Sequence, residues 1–160
     1  MLVTMIDPDP QLGPRIKLAD FGFATQADFG MSMKVSLGAR LYMAPELVRG
    51  VEHSKAVDVW AVGVLAYYML SYGQFPFPGV TKEVVSNKIL NDGPDMGKLG
   101  ANSIPEEAKE FIRQCLTKEA TERPTASHLL DNDPWMQTVD IGLETGLARS
   151  LTQNMARKVD

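Results

Sequence analysis

Apolar residues recur at helical intervals through most of the chain after residue 44, and this spacing predicts a mainly α-helical fold. The pattern delimits five helices, at about 44–49, 57–70, 81–90, 106–117 and 125–130. The second is apolar nearly all round, which is typical of a buried central helix rather than a surface helix. The first contains Pro45, which is favoured in the first turn of a helix.

The segment 106–117 carries the clearest helical signal. Ser103 and Glu106 have the spacing of a capping box, in which each side chain accepts a hydrogen bond from the other residue's backbone. Thr125 is similarly placed to cap the helix that follows it. The apolar residues of the segment share one face: Ala108, Phe111, Ile112, Cys115 and Leu116.

Two short runs near the start of the chain have the composition of strands, at 2–4 and 15–18. Residues 7–14 between them are rich in Pro, Asp and Gly, which favour turns, so we expect a β-hairpin with a rather long loop. From Asp20 to about Leu41 no period is sustained. A loop of that length inside a compact domain is usually functional, and we expect it to be ordered or switchable.

The chain contains no internal repeat, low-complexity tract or linker, so residues 1–135 are predicted to form one compact domain. Residues 136–160 form a tail whose apolar residues recur at roughly helical spacing, which suggests an amphipathic helix. A helix packed back on the domain or a frayed terminus is the commoner outcome for such a tail. A segment that binds a partner is the alternative.

Composition excludes several function classes. The 160 residues are 44% hydrophobic and 22% charged, with a formal net charge of −4 and scattered basic residues. This argues against nucleic-acid and membrane partners, which require basic surfaces. Cys115 is the single cysteine, so no disulfide can form within the chain, and we interpret it as a core residue in a reducing compartment. We expect a soluble, cytoplasmic protein.

The strongest chemical signal is the run from Ile16 to Gly22, which reads Ile-Lys-Leu-Ala-Asp-Phe-Gly. A strand here leads to the carboxylate of Asp20, which suits a hard divalent cation such as Mg²⁺. Phe21 can anchor that carboxylate by its packing, and Gly22 leaves the backbone free to swing. The tripeptide alone also occurs by chance, as an Asp at the turn after a strand.

Further motifs follow in a fixed order: Gly-Ala-Arg-Leu-Tyr-Met-Ala-Pro-Glu at 38–46, Asp-Val-Trp-Ala-Val-Gly at 58–63, Gly-Gln-Phe-Pro-Phe at 73–77, Arg-Pro-Thr at 123–125 and Asp-Pro-Trp at 133–135. Together with Asp-Phe-Gly, this series resembles the second half of a eukaryotic Ser/Thr protein kinase. The resemblance implies a mainly α fold, the helical C-lobe of the protein kinase fold, with a short N-terminal β-hairpin. It also implies ATP and Mg²⁺ as cofactors and a protein substrate.

The resemblance assigns a role to each motif. Asp20 would ligate the Mg²⁺ that binds the ATP phosphates, and Phe21 would join the internal hydrophobic spine. Residues 20–46 would form the activation segment, and Glu46 would form a buried ion pair with Arg123. The pocket beside the substrate's phosphorylation site would consist of Gly38, Ala39, Arg40, Leu41 and Tyr42.

Asp58 would hold the backbone of the catalytic loop, and Trp60 belongs to the same motif as a structural residue. A carboxylate favoured by the helix dipole is the simpler reading of Asp58 and is compatible with that role. Ser36, Ser32 and Thr25 lie where kinases of this type are often switched on by phosphorylation. Ser36 is the best placed, although each hydroxyl could equally be an ordinary loop residue.

A finer resemblance is to the calcium/calmodulin-regulated and calcium-dependent protein kinases, through the Gly-x-x-Pro-Phe, Arg-Pro-Thr-Ala and Pro-Trp elements. In that group a helix after the domain is often autoinhibitory, so the tail could contact a calcium sensor. The run Asp131-Asn132-Asp133 begins like a calcium-binding loop, but Met136 and Gly142 occupy the positions of that loop that need Gly and Glu, so we expect no EF-hand.

Three kinase elements do not occur in these 160 residues: the glycine-rich loop, the strand lysine with its helix glutamate, and the His-Arg-Asp loop with its general base and Asn. We therefore expect the chain alone to be a fragment that binds ATP weakly or not at all and is inactive. Ala39 also replaces the Thr or Ser that most Ser/Thr kinases have at this position. Two hypotheses stay open: part of an ATP-dependent Ser/Thr kinase, or an inactive, pseudokinase-like docking or regulatory module.

Overall fold

The computed structural model describes residues 2–9, 13–19, 36–99 and 104–138, and for the first two ranges the backbone alone. The described residues are mainly helical, as predicted. The N-terminal hairpin and the helices belong to separate compact units, so each is described by itself.

The hairpin consists of two antiparallel strands, β1 (Leu2–Asp9) and β2 (Gly13–Ala19). Leu2 pairs with Ala19 and Ile6 with Arg15, but Asp9 pairs with Gly13, so the register shifts by one residue near the turn. The hairpin was predicted, but the expectation of a long loop over residues 7–14 was wrong, because β1 extends to Asp9 and β2 begins at Gly13. Each strand of a two-stranded sheet has an open edge, and a proline whose nitrogen faces that edge removes no hydrogen bond between the strands. The shift in register near the turn accommodates one additional residue in one of the two strands.

The helical unit contains seven α-helices and one 3₁₀ helix within the described residues. The bounds are α1 (Leu37–Arg40), α2 (Pro45–Arg49), α3 (Ala56–Leu70), α4 (Lys82–Asn91), a 3₁₀ helix (Met96–Leu99), α5 (Glu106–Cys115), α6 (Ala126–Asn132) and α7 (Pro134–Thr138). The five predicted helices correspond to α2 to α6. The short helices α1 and α7 and the 3₁₀ helix were not predicted.

Side-chain caps explain where several helices begin. The hydroxyl of Thr125 accepts a hydrogen bond from the backbone N–H of His128, as its position before α6 predicted. Thr81 caps α4 in the same way. The capping-box prediction for α5 was wrong, because the residue in the N-cap position is Pro105 and not Ser103, which lies outside the described residues.

The core of the helical unit forms where α3 packs against α5 and the surrounding loops. Gly63 lets these two helices approach closely, since a Cβ atom built there would lie 2.5 Å from the Cβ of Cys115. The predicted apolar face of α5 is buried throughout. The fully buried side chains of the core include Trp60, Val64, Tyr67, Phe77, Val85, Ile89, Leu99, Ile112 and Cys115.

One side of α3 contradicts the expectation of complete burial. Val62 is 47% exposed and Met69 is 68% exposed, and these residues are two turns apart on the helix. Asp58, in the first turn, is also exposed. The apolar composition of α3 therefore does not mean that the helix is buried on every side. Among the described residues, none covers the side that carries Val62 and Met69.

Among the described residues, Gly50, Tyr72 and Gly73 have a positive φ, and Gly73 has φ +89°. Gly50 ends α2 with φ +69°, and its N–H returns to the carbonyl oxygens of Glu46 and Leu47, which is a common way to close a helix. Tyr72 has φ +56° and a side chain that is 94% exposed. In the part of the chain that the structure describes, no helix is long and apolar enough to cross a membrane.

Candidate functional site

The best-defined feature of the helical unit is a buried ion pair between Glu46 and Arg123. Glu46 is the second residue of α2, and Arg123 lies in the loop before α6. Arg123 Nη1 donates to Glu46 Oε1 at 2.8 Å, and Nη2 donates to Oε2 at 3.2 Å. The guanidinium therefore meets the carboxylate with two parallel bonds, the geometry that gives arginine its strongest contacts. The two side chains are 0% and 7% exposed.

Arg123 uses its remaining donors on backbone carbonyl groups. Nε donates to Thr117 O at 3.1 Å, Nη1 to Ala56 O at 2.7 Å and Nη2 to Lys118 O at 3.4 Å. All five N–H donors of the side chain thus have acceptors, which is the condition for burying a charge at tolerable cost. The guanidinium also lies 5.2 Å from the ring of Trp60. One side chain thereby joins α2, the start of α3 and the loop after α5.

The segment that precedes α2 contains the five residues assigned to the substrate pocket. Its first half folds as α1, where the prediction of a loop was wrong. The hydroxyl of Ser36 accepts a hydrogen bond from Ala39 N–H at 3.3 Å, and this local cap starts a turn too short to show a sequence period. Gly38 and Ala39 are exposed, whereas Arg40 and Leu41 are half-buried.

Tyr42 anchors the end of this segment against an aromatic cluster. Its ring contacts Phe75 edge-on with centroids 5.4 Å apart, and the Tyr68 ring lies 4.7 Å from Phe75 on a tilt. Burial, and secondarily the charge of Tyr68, raise the pKa of Tyr42. The hydroxyl of Tyr42 therefore stays protonated at neutral pH, and the ring belongs to an aromatic cluster with Phe75 and Tyr68.

Asp58 borders an open cavity of about 990 Å³ on the side of α3 that includes Val62. Apolar residues make up most of the cavity wall, among them Val59, Leu129 and Met136. The carboxylate of Asp58 makes no side-chain hydrogen bond among the described residues. The assigned role of Asp58, holding the backbone of the catalytic loop, stays a prediction.

A second cationic side chain, which the sequence did not reveal, lies against Trp60. The Lys118 ammonium group is 4.3 Å from the centre of the Phe77 ring and 5.3 Å from that of Trp60, and it donates to the carbonyl oxygen of Ile89. Trp60 and Phe77 are stacked 5.6 Å apart. Burial lowers the pKa of Lys118 to about 8. Lys118 follows α5 in a loop, where no periodicity could have indicated its contacts.

Five of the predicted site residues fall outside the residues that the structure describes. They are Asp20, Phe21, Gly22, Thr25 and Ser32. Within the described ranges no group of three or more His, Cys, Asp or Glu residues could hold a metal ion. The role of Asp20 as a Mg²⁺ ligand therefore stays a prediction. Most of the tail, from residue 139 onward, is also beyond the described part.

Comparison with known proteins adds independent evidence. Residues 4–136 match the family model for the protein kinase domain. The chain is 34% identical over 144 residues, 90% of its length, to a probable myosin light chain kinase of Dictyostelium discoideum. It is 36% identical over 127 residues, 79% of its length, to death-associated protein kinase 2 of Homo sapiens. It is 32% identical over 148 residues, 92% of its length, to human myosin light chain kinase 3.

These relatives are considerably longer than the chain. The chain covers 40%, 34% and 18% of their respective lengths. The matched region, 133 of the 160 residues, contains every motif quoted above from Asp-Phe-Gly to Asp-Pro-Trp.

Proposed function

The chain belongs to the protein kinase family, and from that premise we propose that it forms the helical, substrate-facing part of an ATP-dependent Ser/Thr protein kinase. The observation that carries the proposal is the ion pair of Glu46 with Arg123. It joins two motifs that are 77 residues apart in the sequence, in a fully satisfied hydrogen-bond network. The pair holds the end of the activation segment against the helices, where residues 38–42 can meet a peptide.

Each part of the proposed site has a chemical task. Mg²⁺, held by Asp20, would neutralise the charge that develops on the transferred phosphoryl group. Residues 38–42 would position the protein substrate, and Tyr42 and Phe75 would fix that segment in place. Phosphoryl transfer depends mainly on positioning and charge stabilisation, so small displacements of these groups would cost much of the rate.

We further propose that residues 1–160 alone do not transfer phosphate. A general base, a lysine that clamps the phosphates and a glycine-rich loop are missing from these 160 residues. The phosphates and the nucleophile would then lack the groups that align them, even with Asp20 in position. The exposed carboxylate of Asp58 and the open cavity beside it agree with this division, because both are available to a further segment.

A second candidate function follows from Ala39. This residue is exposed in α1 and offers no hydroxyl, whereas the kinase pattern has Thr or Ser there to tie the pocket to the catalytic loop. A module that binds proteins without catalysing the reaction would tolerate this change. The alternative is therefore a pseudokinase-like docking or regulatory domain.

A chimera distinguishes the two functions. The N-terminal part of human death-associated protein kinase 2 would be joined to this chain at residue 4, where the kinase-domain match begins. If the chain serves a kinase, the chimera transfers phosphate to a serine peptide, and Ala39→Thr raises its kcat. A folded chimera that is inactive both with and without Ala39→Thr would reject the kinase and favour the docking module.

A further inference from the structure

Arg40 is the one charged residue between Ser36 and Pro45, and it ends α1. In the sequence it follows the exposed residues Gly38 and Ala39 and precedes Tyr42, whose ring packs against Phe75. The segment assigned to the substrate pocket therefore combines a single cation with an apolar and aromatic surface. That combination requires an explanation, because a half-buried arginine in a binding segment normally has an acceptor.

No acceptor for this side chain occurs among the described residues. Arg40 Nε is buried and has no hydrogen-bond partner there. None of the ion pairs between described residues includes Arg40. Arg123, by contrast, satisfies all five of its donors. The two arginines thus differ: Arg123 completes a structural network, whereas the buried Nε of Arg40 has no hydrogen-bond partner among the described residues.

The charged group that faces Arg40 from the neighbouring helix is Glu83, in the first turn of α4. The pKa of Glu83 is lowered mainly by hydrogen bonds with its own backbone and with Thr81, and in smaller part by the charges of Lys82 and Arg40. Arg40 is thus close enough to influence Glu83 without forming an ion pair with it. The Glu83 carboxylate is exposed and remains solvated, so it does not satisfy the guanidinium.

We infer that Arg40 is a specificity residue whose guanidinium binds the carboxylate of an acidic residue beside the phosphorylated residue of the substrate. The inference rests on the proposed function, in which residues 38–42 contact the substrate peptide. It adds the class of substrate: a peptide with Asp or Glu next to the Ser or Thr that receives the phosphate.

The physical chemistry of the side chain supports this assignment. A planar guanidinium binds a carboxylate through two parallel charge-assisted hydrogen bonds, which gives direction as well as affinity. The half-buried stem of Arg40 has already lost part of its conformational freedom, so ordering it on a ligand costs less. A buried N–H without an acceptor is also unfavourable, so a small rotation of the side chain toward a carboxylate would relieve that cost.

Peptide binding to the whole 160-residue chain tests the inference without requiring catalysis. Three short peptides would share one serine and differ only in the next residue, which is aspartate, asparagine or lysine. Dissociation constants come from NMR titration, and the Arg40 Nε–Hε resonance reports contact at the side chain itself. We expect the aspartate peptide to bind about three- to fivefold more tightly than the asparagine peptide and to shift this resonance.

Variants distinguish an effect of the Arg40 side chain on peptide binding from an effect of the net charge of the chain. Arg40→Ala should abolish the preference for aspartate, and Arg40→Lys should keep part of it because it retains the charge without the planar fork. Arg49→Ala removes an equal charge from the exposed end of α2 and should leave the preference unchanged. The NMR spectrum of each variant shows whether its fold is intact. A preference that survives Arg40→Ala, or that Arg49→Ala removes, would overturn the assignment.

The outcomes also separate this inference from the proposed function. If the peptides bind equally and the Arg40 resonance does not move, the pocket binds peptides and the role of Arg40 is wrong. If no peptide binds at any concentration, the peptide-binding role of residues 38–42 is wrong, and the inference fails with it. If sodium acetate at equal concentration shifts the resonance as much as the aspartate peptide does, the effect is unspecific anion binding and the inference is overturned.

Discussion

Among single residues, Arg123 has the most consequential contacts in the helical unit. It is fully buried, it is charged, and its five donors reach three different segments. A network of this kind need not stabilise more than apolar residues would. Removing one partner of the pair lowers the stability of the fold strongly, however, because the other charge is left buried without compensation.

We therefore predict that Arg123→Ala lowers the free energy of unfolding by about 3–5 kcal/mol, since Glu46 keeps its buried charge. Urea unfolding followed by circular dichroism measures the change. Arg113→Ala is the matched control, because Arg113 pairs with Glu106 and Glu110 on the exposed surface of α5. Such pairs are weak, so this variant should unfold nearly as the unchanged chain does. Equal effects from both variants would contradict the role of Arg123.

Lys118 predicts a pH dependence. Burial lowers its pKa from 10.5 to about 8 in the folded chain, so between these values the unfolded chain binds more protons than the folded chain. The free energy of unfolding should therefore rise with pH through this window. Lys118→Met removes the titrating group. The stability of the unchanged chain minus that of the variant should increase from about pH 7 to pH 10, and a flat or falling difference would show that the pKa is not lowered.

At the scale of the elements, the contact between α3 and α5 depends on a position without a side chain. Gly63 leaves no space for a Cβ atom, because Cys115 Cβ would be 2.5 Å away and Leu116 Cδ2 3.1 Å away. A glycine inside a helix is normally unfavourable, so its presence here has a packing reason.

We predict that Gly63→Ala lowers the free energy of unfolding by about 1–3 kcal/mol through overpacking, although alanine is the better helix former. Gly38→Ala is the matched control, since Gly38 is also helical but has no atom within 4 Å of an added Cβ. That change should be neutral or stabilising by up to about 1 kcal/mol. Thermal unfolding of the two variants measures the contrast, and a stabilising Gly63→Ala would disprove the close approach.

The elements also show how far the sequence could predict this structure. Helices α2 to α6 were predictable, since each carries an apolar period, a capping hydroxyl or, in α2, a proline in the first turn. Helices α1 and α7 last one turn, so their local hydrogen bonds leave no period to detect. The extension of β1 and β2 through the prolines depends on the open edges of a two-stranded sheet, which composition does not reveal.

The same holds for the site. Glu46 and Arg123 were identified by the resemblance, and in the structure they form a buried ion pair. The lack of an acceptor for Arg40 and the ring contacts of Lys118 arise from side-chain placement in three dimensions, which no spacing rule encodes. The exposed side of α3 was missed because an apolar sequence predicts a buried helix, whether or not other residues cover every side of that helix.

For the whole molecule, that face predicts how the isolated chain behaves in solution. Val62 and Met69 are both exposed on α3, and Val62 also lines the cavity that Asp58 borders. Exposed apolar side chains on one side of a helix favour association. We predict that Val62→Ser with Met69→Gln lowers the binding of a hydrophobic dye and reduces oligomers in light scattering. Val51→Ser with Val80→Ser changes two other exposed apolar residues and serves as the control, which should leave both signals unchanged.

The central claim is that these residues supply the substrate-facing part of a protein kinase and not its catalytic centre. The most direct measurement is the transfer of labelled phosphate from ATP to a serine peptide by residues 1–160, beside their Asp20→Ala variant and the chimera as positive control. We predict an active chimera, in which Asp20→Ala lowers the rate at least about a hundredfold. We predict no transfer by the isolated chain above its Asp20→Ala variant. Transfer by the isolated chain that Asp20→Ala abolishes would contradict the account.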